Sequence, residues 1–224
     1  MKITEKIFEA LCITMSVLGF SSCDEHEEVD YHIYIGHILC DDHRTMSVNQ
    51  YESQNAVNAV GVVFAEQTED HPALAVMLDE LSSVAFADTV GFSQGTSGSL
   101  ESFDGWENTV ALHNSQDARS GKGSPLANEV FHYHKFGQSD YVPSVAEMRL
   151  LIAALPQVNP IIEYCGGTPL SLDSEAGSCW YWSSTEVSED KANSAWLCSS
   201  VNGGIMPTLK DEPHSARAIV ALYY

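Results

Sequence analysis

The segment "CWYWSSTE", residues 179–186, sets three aromatic rings beside three hydroxyls and a carboxylate. Read with the two-residue period of a strand, it places Trp180 and Trp182 on one face and Tyr181 on the other. Rings next to hydroxyl, amide and carboxylate groups suit sugar or peptide recognition when they reach solvent, and fill a core when they do not. The alternation leaves open which set faces outward. Downstream, "SAWLCSS" (194–200) and "ARAIVALYY" (216–224) also alternate or run apolar, separated by Gly, Pro and Asn, so the end of the chain reads as a closing antiparallel group of short strands.

Upstream lies a helical middle. Ser144-Val145-Ala146-Glu147 is a capping box, in which the Ser hydroxyl and the Glu carboxylate each satisfy a free amide of the first turn. Met148, Leu151, Ile152 and Leu155 follow as one apolar stripe, and Pro156 is expected to stop the helix. "VNPIIEYCGG" (158–167) then reads as a short helical turn closed by Gly166-Gly167. Ser124-Pro125 gives a second helix its N-cap and first position, with Gly137 placed for its end. A shorter helix follows the Asp104-Gly105 turn, through Trp106 to Leu112, after a Gly- and Ser-rich loop from Gly91. Before these, Tyr31–Ile35 alternates like a strand, Ile38-Leu39-Cys40 forms another extended piece, and "AVGVVFAE" (59–66) and "ALAVMLDE" (73–80) read as strands. Early strands, central helices and a closing antiparallel group make the class α+β.

The start of the chain speaks to location. Lys2 and Lys6 precede a ten-residue apolar run, Leu11 to Phe20, too short to cross a bilayer but suited to a secretory signal. Phe20-Ser21-Ser22-Cys23 is similar to a lipobox, which makes 1–22 a lipoprotein signal peptide and Cys23 the lipidation site. Residues 23–30 then form an acidic linker whose Asp24-Glu25-His26-Glu27-Glu28 resembles the export tag of surface-exposed lipoproteins. The expected location is the outer membrane, exposed at the cell surface, with membrane attachment through the lipid only. The formal charge of −21 speaks against nucleic acid, whose phosphates call for Lys and Arg. With Cys12 in the leader and Cys23 acylated, Cys40, Cys165, Cys179 and Cys198 remain; they allow three disulfide pairings or stay as buried thiols, and sequence does not choose.

Three landmarks occur in order: "YVPSVAEMRLL" (141–151), "YWSSTE" (181–186) and "SAWLCSSVNGGI…SARAIVAL" (194–222). Together they resemble the bacterial C-type-lectin-like domains of surface lipoproteins and collagen-like adhesins, and "IGHILC…NAVGVVFAE" and "DGWENTVAL" resemble the upstream half of the lipoprotein members. The resemblance implies one C-type-lectin-like domain over 31–224, with short antiparallel strands and two to four helices. It implies that Ser144, Glu147, Trp182, Ser183, Ser184, Trp196 and Arg217 are structural, with the indoles inside and the hydroxyls capping backbone groups. Trp180, Tyr181, Glu186 and Asn202 are then the candidate ligand-binding residues. Tyr141-Val142 stands where the family has Trp-x-Leu. The loop motifs of calcium-dependent lectins are not matched by Glu212-Pro213-His214 or Trp106-Glu107-Asn108, so no metal and no cofactor is expected. The implied role is non-catalytic binding or adhesion toward a glycan or protein ligand. The alternatives are a structural subunit of a surface appendage or complex, and an enzyme on the same scaffold.

Catalytic patterns are weak by comparison. Gly91-Phe92-Ser93-Gln94-Gly95 matches the G-x-S-x-G nucleophile elbow, but that motif needs a helix directly after it, and "TSGSLESFDG" does not start one. His132 and His134 splay on a helix rather than facing one metal ion. Asp173–Gly177 lacks the glycine and closing glutamate of a calcium loop. The formylglycine-generating enzymes share the broad fold and use paired cysteines, for which Cys179 and Cys198 would be the positions.

Overall fold

The structure, a computed structural model of the chain, describes residues 32–115, 123–133 and 140–223. The leader, Cys23, the acidic linker, Tyr31, His134 and Gly137 lie outside the described residues. The described chain is α+β, with two mainly antiparallel sheets and four helices. The first sheet takes β1 (Ile38–Cys40), β2 (Thr45–Met46), β3 (Ala59–Ala65), β4 (Ala73–Met77) and the last strand, β10 (Ile219–Leu222), in the order β10-β4-β3-β1-β2. The second takes β5 (Leu81–Ala85), β6 (Trp180–Glu186), β7 (Ser194–Ser199), β8 (Ile205–Leu209) and β9 (Pro213–Ala216), in the order β5-β9-β6-β7-β8. Among the described strands, only the β6–β9 pairing is parallel. The helices are α1 (Val48–Glu52), α2 (Gly105–Asn114), α3 (Pro125–Tyr133) and α4 (Val145–Tyr164).

The first sheet is covered on both faces, which is why β3 and β4 read as continuous apolar runs. Val63, Ala75, Met77 and Val220 enter one core with Phe86, Leu112, Leu126 and Val130 from the β5 and α2–α3 regions. Their neighbours Val62, Phe64, Val76 and Ile219 enter a second core beneath α4, with Met148, Leu151, Leu155, Val158 and Ile162. Strand β6 contributes to both: Trp182 lies in the first core and Tyr181 in the second. A third, small cluster of Ile38, Cys40 and Met46 sits under the end of α4.

Two sequence expectations fail for identifiable reasons. Tyr31–Ile35 is not a strand among the described residues 32–35: the chain turns at Ile35-Gly36, with Gly36 at φ +87°, and pairing starts at Ile38. Pro156 does not stop α4, which continues through Pro160 to Tyr164. Each interior proline costs about 3 kcal/mol or more. The buried stripe Met148, Leu151, Leu155, Val158 and Ile162 outweighs that, at about 1.5–3 kcal/mol for each fully buried side chain. Both prolines lie on the exposed face, where water reaches the carbonyls their missing N–H groups leave over. The helix ends instead at a Schellman turn: Gly166 at φ +78° donates to Glu163, and the Gly167 amide donates to the Ile162 carbonyl. By length and composition α4 would pass as a membrane span, yet half of that stretch is buried inside the domain.

Candidate functional site

The β6 motif is folded inward. Trp182 is fully buried, its Nε1 donates to the Val84 carbonyl at 2.9 Å, and its ring packs against Phe86 and edge-on to His214. Tyr181 is equally buried; its hydroxyl donates to Glu80 at 2.8 Å and accepts from the Ser171 amide. Ser183 Oγ donates to the Trp196 carbonyl, the Ser184 amide donates to Pro143, and Thr185 Oγ1 accepts from the Val145 amide at the start of α4. Trp196 is half-buried against the second core. Arg217 is fully buried and donates to the carbonyls of Met77, Leu78 and Thr168, with Glu80 at 4.0 Å.

Glu147 secures the other motif. Its two oxygens accept from the Ser144 amide at 2.7 Å and the Tyr141 hydroxyl at 3.0 Å, completing the capping box. Gly105 opens α2 directly against it, since a Cβ there would lie 2.2 Å from Glu147 Oε2 and 2.8 Å from the Val142 carbonyl oxygen. Both of these partners are dipoles, and burial pushes the carboxyl pKa up to about 7. The neighbouring Tyr141 hydroxyl is raised as well, by burial and then by Glu147.

Of the four candidate ligand residues, only Asn202 is well exposed; it sits in the β7–β8 turn with Oδ1 accepting from Gly204. Trp180 is half-buried against the first core, and Tyr181 is sealed in the second. Glu186 requires a correction: it has no exposed surface and is the anchor of a buried network rather than a group facing ligand. It accepts from Ser93 Oγ at 2.9 Å, from the Gln94 amide at 2.8 Å and from the Thr96 amide at 3.1 Å. Lys210, also fully buried, pairs with it and donates to the carbonyls of Phe92 and Lys191 and to Gln94 Oε1. The G-x-S-x-G pattern is therefore a loop strapped onto an ion pair. Ser93 Oγ is committed to a carboxylate, and the next helix begins only at Gly105. Burial pushes the Cys198 thiol up to about 12, and Cys198 stands opposite Tyr181 rather than Cys179, an arrangement poorly prepared for thiol chemistry. Among the described residues, no three His, Cys, Asp or Glu side chains gather as a metal-ligand set.

Next to the Glu186–Lys210 pair, an open groove of about 520 Å³ runs along the β8 edge of the second sheet. Val187, Met206, Pro207 and Leu209 give it an apolar lining, and Asp190, Ser194 and Glu212 give it polar points. Leu209 is 46% exposed and Met206 36%. Asp190 accepts from Ser194 Oγ at 2.8 Å and Asn193 Nδ2 at 2.6 Å, bonds that hold its carboxyl below the usual carboxylate range, so it is a fixed negative charge at neutral pH. Pro207 takes an outward position on the edge: the Lys210 amide donates inward to Asn193, so by alternation the backbone of residue 207 points away from β7. The groove thus sets an apolar strip beside an oriented carboxylate. Sequence reading passed over Met206, Leu209 and Asp190, and considered Glu212 only as an unmatched calcium-loop position. The available signal was a proline inside a strand-like run, which marks a sheet edge. No protein-family model matches the chain, and no curated protein matches it in sequence.

Proposed function

We propose that the chain is a non-catalytic binding protein with a C-type-lectin-like domain, carried at the cell surface by a lipid on Cys23, and that the groove along β8 receives its glycan or protein ligand. The observation that carries this reading is the groove itself, where exposed Met206 and Leu209 adjoin the fixed Asp190 carboxylate on a rigid sheet edge. Support also comes from the motif residues. Trp182, Ser183, Glu147 and Arg217 all act on the protein's own backbone and core, as the resemblance implies for scaffold positions. Against an enzymatic role, Ser93 is tied to Glu186 and the Cys198 thiol is held protonated. The charge of −21 disfavours nucleic acid as the partner.

Glycan and matrix-protein arrays probed with residues 24–224 test the reading. A ligand bound by the wild type and lost in Leu209→Asp, but kept in Asn202→Ala, is the expected result. Silence on every array, together with stable co-purification in a surface complex, would replace it with the structural-subunit reading. The anchor is tested separately: palmitate labelling of the full chain should vanish in Cys23→Ala.

A further inference from the structure

At the end of α4, Cys165 packs against the small cluster that holds Cys40 of β1. Cys40 closes β1 with no exposed surface, and Cys165 is the half-buried C-cap residue of the helix. Cys165 and Ile161 pack both against the second core and against the small cluster of Ile38, Cys40 and Met46. Burial pushes the Cys40 thiol up to about 11, with Asp42, Asp41 and the nearby Cys165 charge adding to it. Burial likewise raises Cys165 to about 11. The other two thiols belong elsewhere: Cys198 sits across from Tyr181 in the second core, and Cys179 accepts from Ser199 Oγ at 3.9 Å. Among the described residues, Cys165 is the one cysteine packed against the cluster that holds Cys40.

We propose that Cys40 and Cys165 are a modification site, forming a disulfide by exchange with an external disulfide such as oxidised glutathione. The Cys165 thiolate, at the more accessible position, attacks one glutathione sulfur, forming a mixed disulfide and releasing a glutathione thiolate. The Cys40 thiolate then attacks the Cys165 sulfur, closing the protein disulfide and releasing the second glutathione. The two protons lost by the protein thiols are taken up by the two glutathione thiolates, and the oxidant is reduced by the two electrons the protein gives up. High thiol pKa values leave little thiolate at neutral pH, so exchange is slow and quickens as pH rises. The bond covalently joins the first strand of the domain to the end of its longest helix.

The test uses the full-length chain, purified reduced, treated with oxidised glutathione at mildly alkaline pH, acid-quenched, then denatured, alkylated and digested without reduction. A cross-linked peptide pair holding Cys40 and Cys165, lighter by two hydrogens than the reduced pair, is expected, with Cys179 and Cys198 recovered alkylated. The same treatment in denaturant should scatter the pairings, and Cys165→Ser should remove the cross-link. Recovery of Cys40 and Cys165 as alkylated thiols or separate glutathione adducts, or bonded to other cysteines, overturns the proposal.

Discussion

Glu186 and Glu147 are both buried almost completely, and they are neutralised in opposite ways. Glu186 faces the Lys210 ammonium and three loop donors at the end of β6. Glu147 accepts from dipoles, the Ser144 amide and the Tyr141 hydroxyl, at the start of α4. A charge matched by a charge needs its partner, because a lone buried ion keeps its full desolvation cost. A charge matched by dipoles has another way out: it takes up a proton, which is what a pKa near 7 describes. The first site is a structural lock, and the second responds to pH.

The comparison can be broken most directly at Lys210. Lys210→Met strands the Glu186 charge and should cost about 3–5 kcal/mol in urea unfolding. Adding Glu186→Gln should recover part of that, because no ion is left unmatched; a double variant no better than the single one would refute the lock. Next in size is Gly105→Ala, which drives a methyl toward Glu147 and the Val142 carbonyl and should cost about 1–3 kcal/mol by the same measurement. The pH response is smaller for each step. The unfolded Glu147 loses its proton near 4.5 and the folded one near 7, so the folded state binds more protons across that window. Its contribution to stability is therefore complete below pH 4.5 and shrinks as pH rises through 7, by at most about 1.4 kcal/mol for each pH unit. Glu147→Gln, which keeps a capping side chain, should flatten this decline. A wild-type minus variant difference that is constant from pH 4.5 to 8 would remove the contrast between the two sites. Smallest of all, Leu209→Ser in the groove should change stability by less than about 0.5 kcal/mol, because the side chain already faces water.

What the sequence disclosed, and what it withheld, follows from the range of the forces involved. The α4 start was legible because Ser144 and Glu147 are three residues apart and satisfy each other locally. Strands β3 and β4 were legible because burial on both faces leaves an uninterrupted apolar run. The course of α4 past Pro156 was not, since a local breaking rule was overridden by tertiary burial of the opposite face. Neither was the fate of Glu186, whose partners lie in the 93–96 loop and at Lys210. Nothing in "WSSTE" separates a carboxylate that greets a ligand from one that holds a lysine. The groove escaped for a related reason: it is made by where a sheet ends, and strand order is not written in any one strand.

That sheet end has one further property. A free β-edge ordinarily offers amides to any neighbouring strand, including one from an identical molecule. Pro207 withholds a donor in the middle of this margin, and surplus negative charge spread over the chain adds repulsion between copies. Both features oppose the zipping of neighbouring copies into continuous ribbons through this margin.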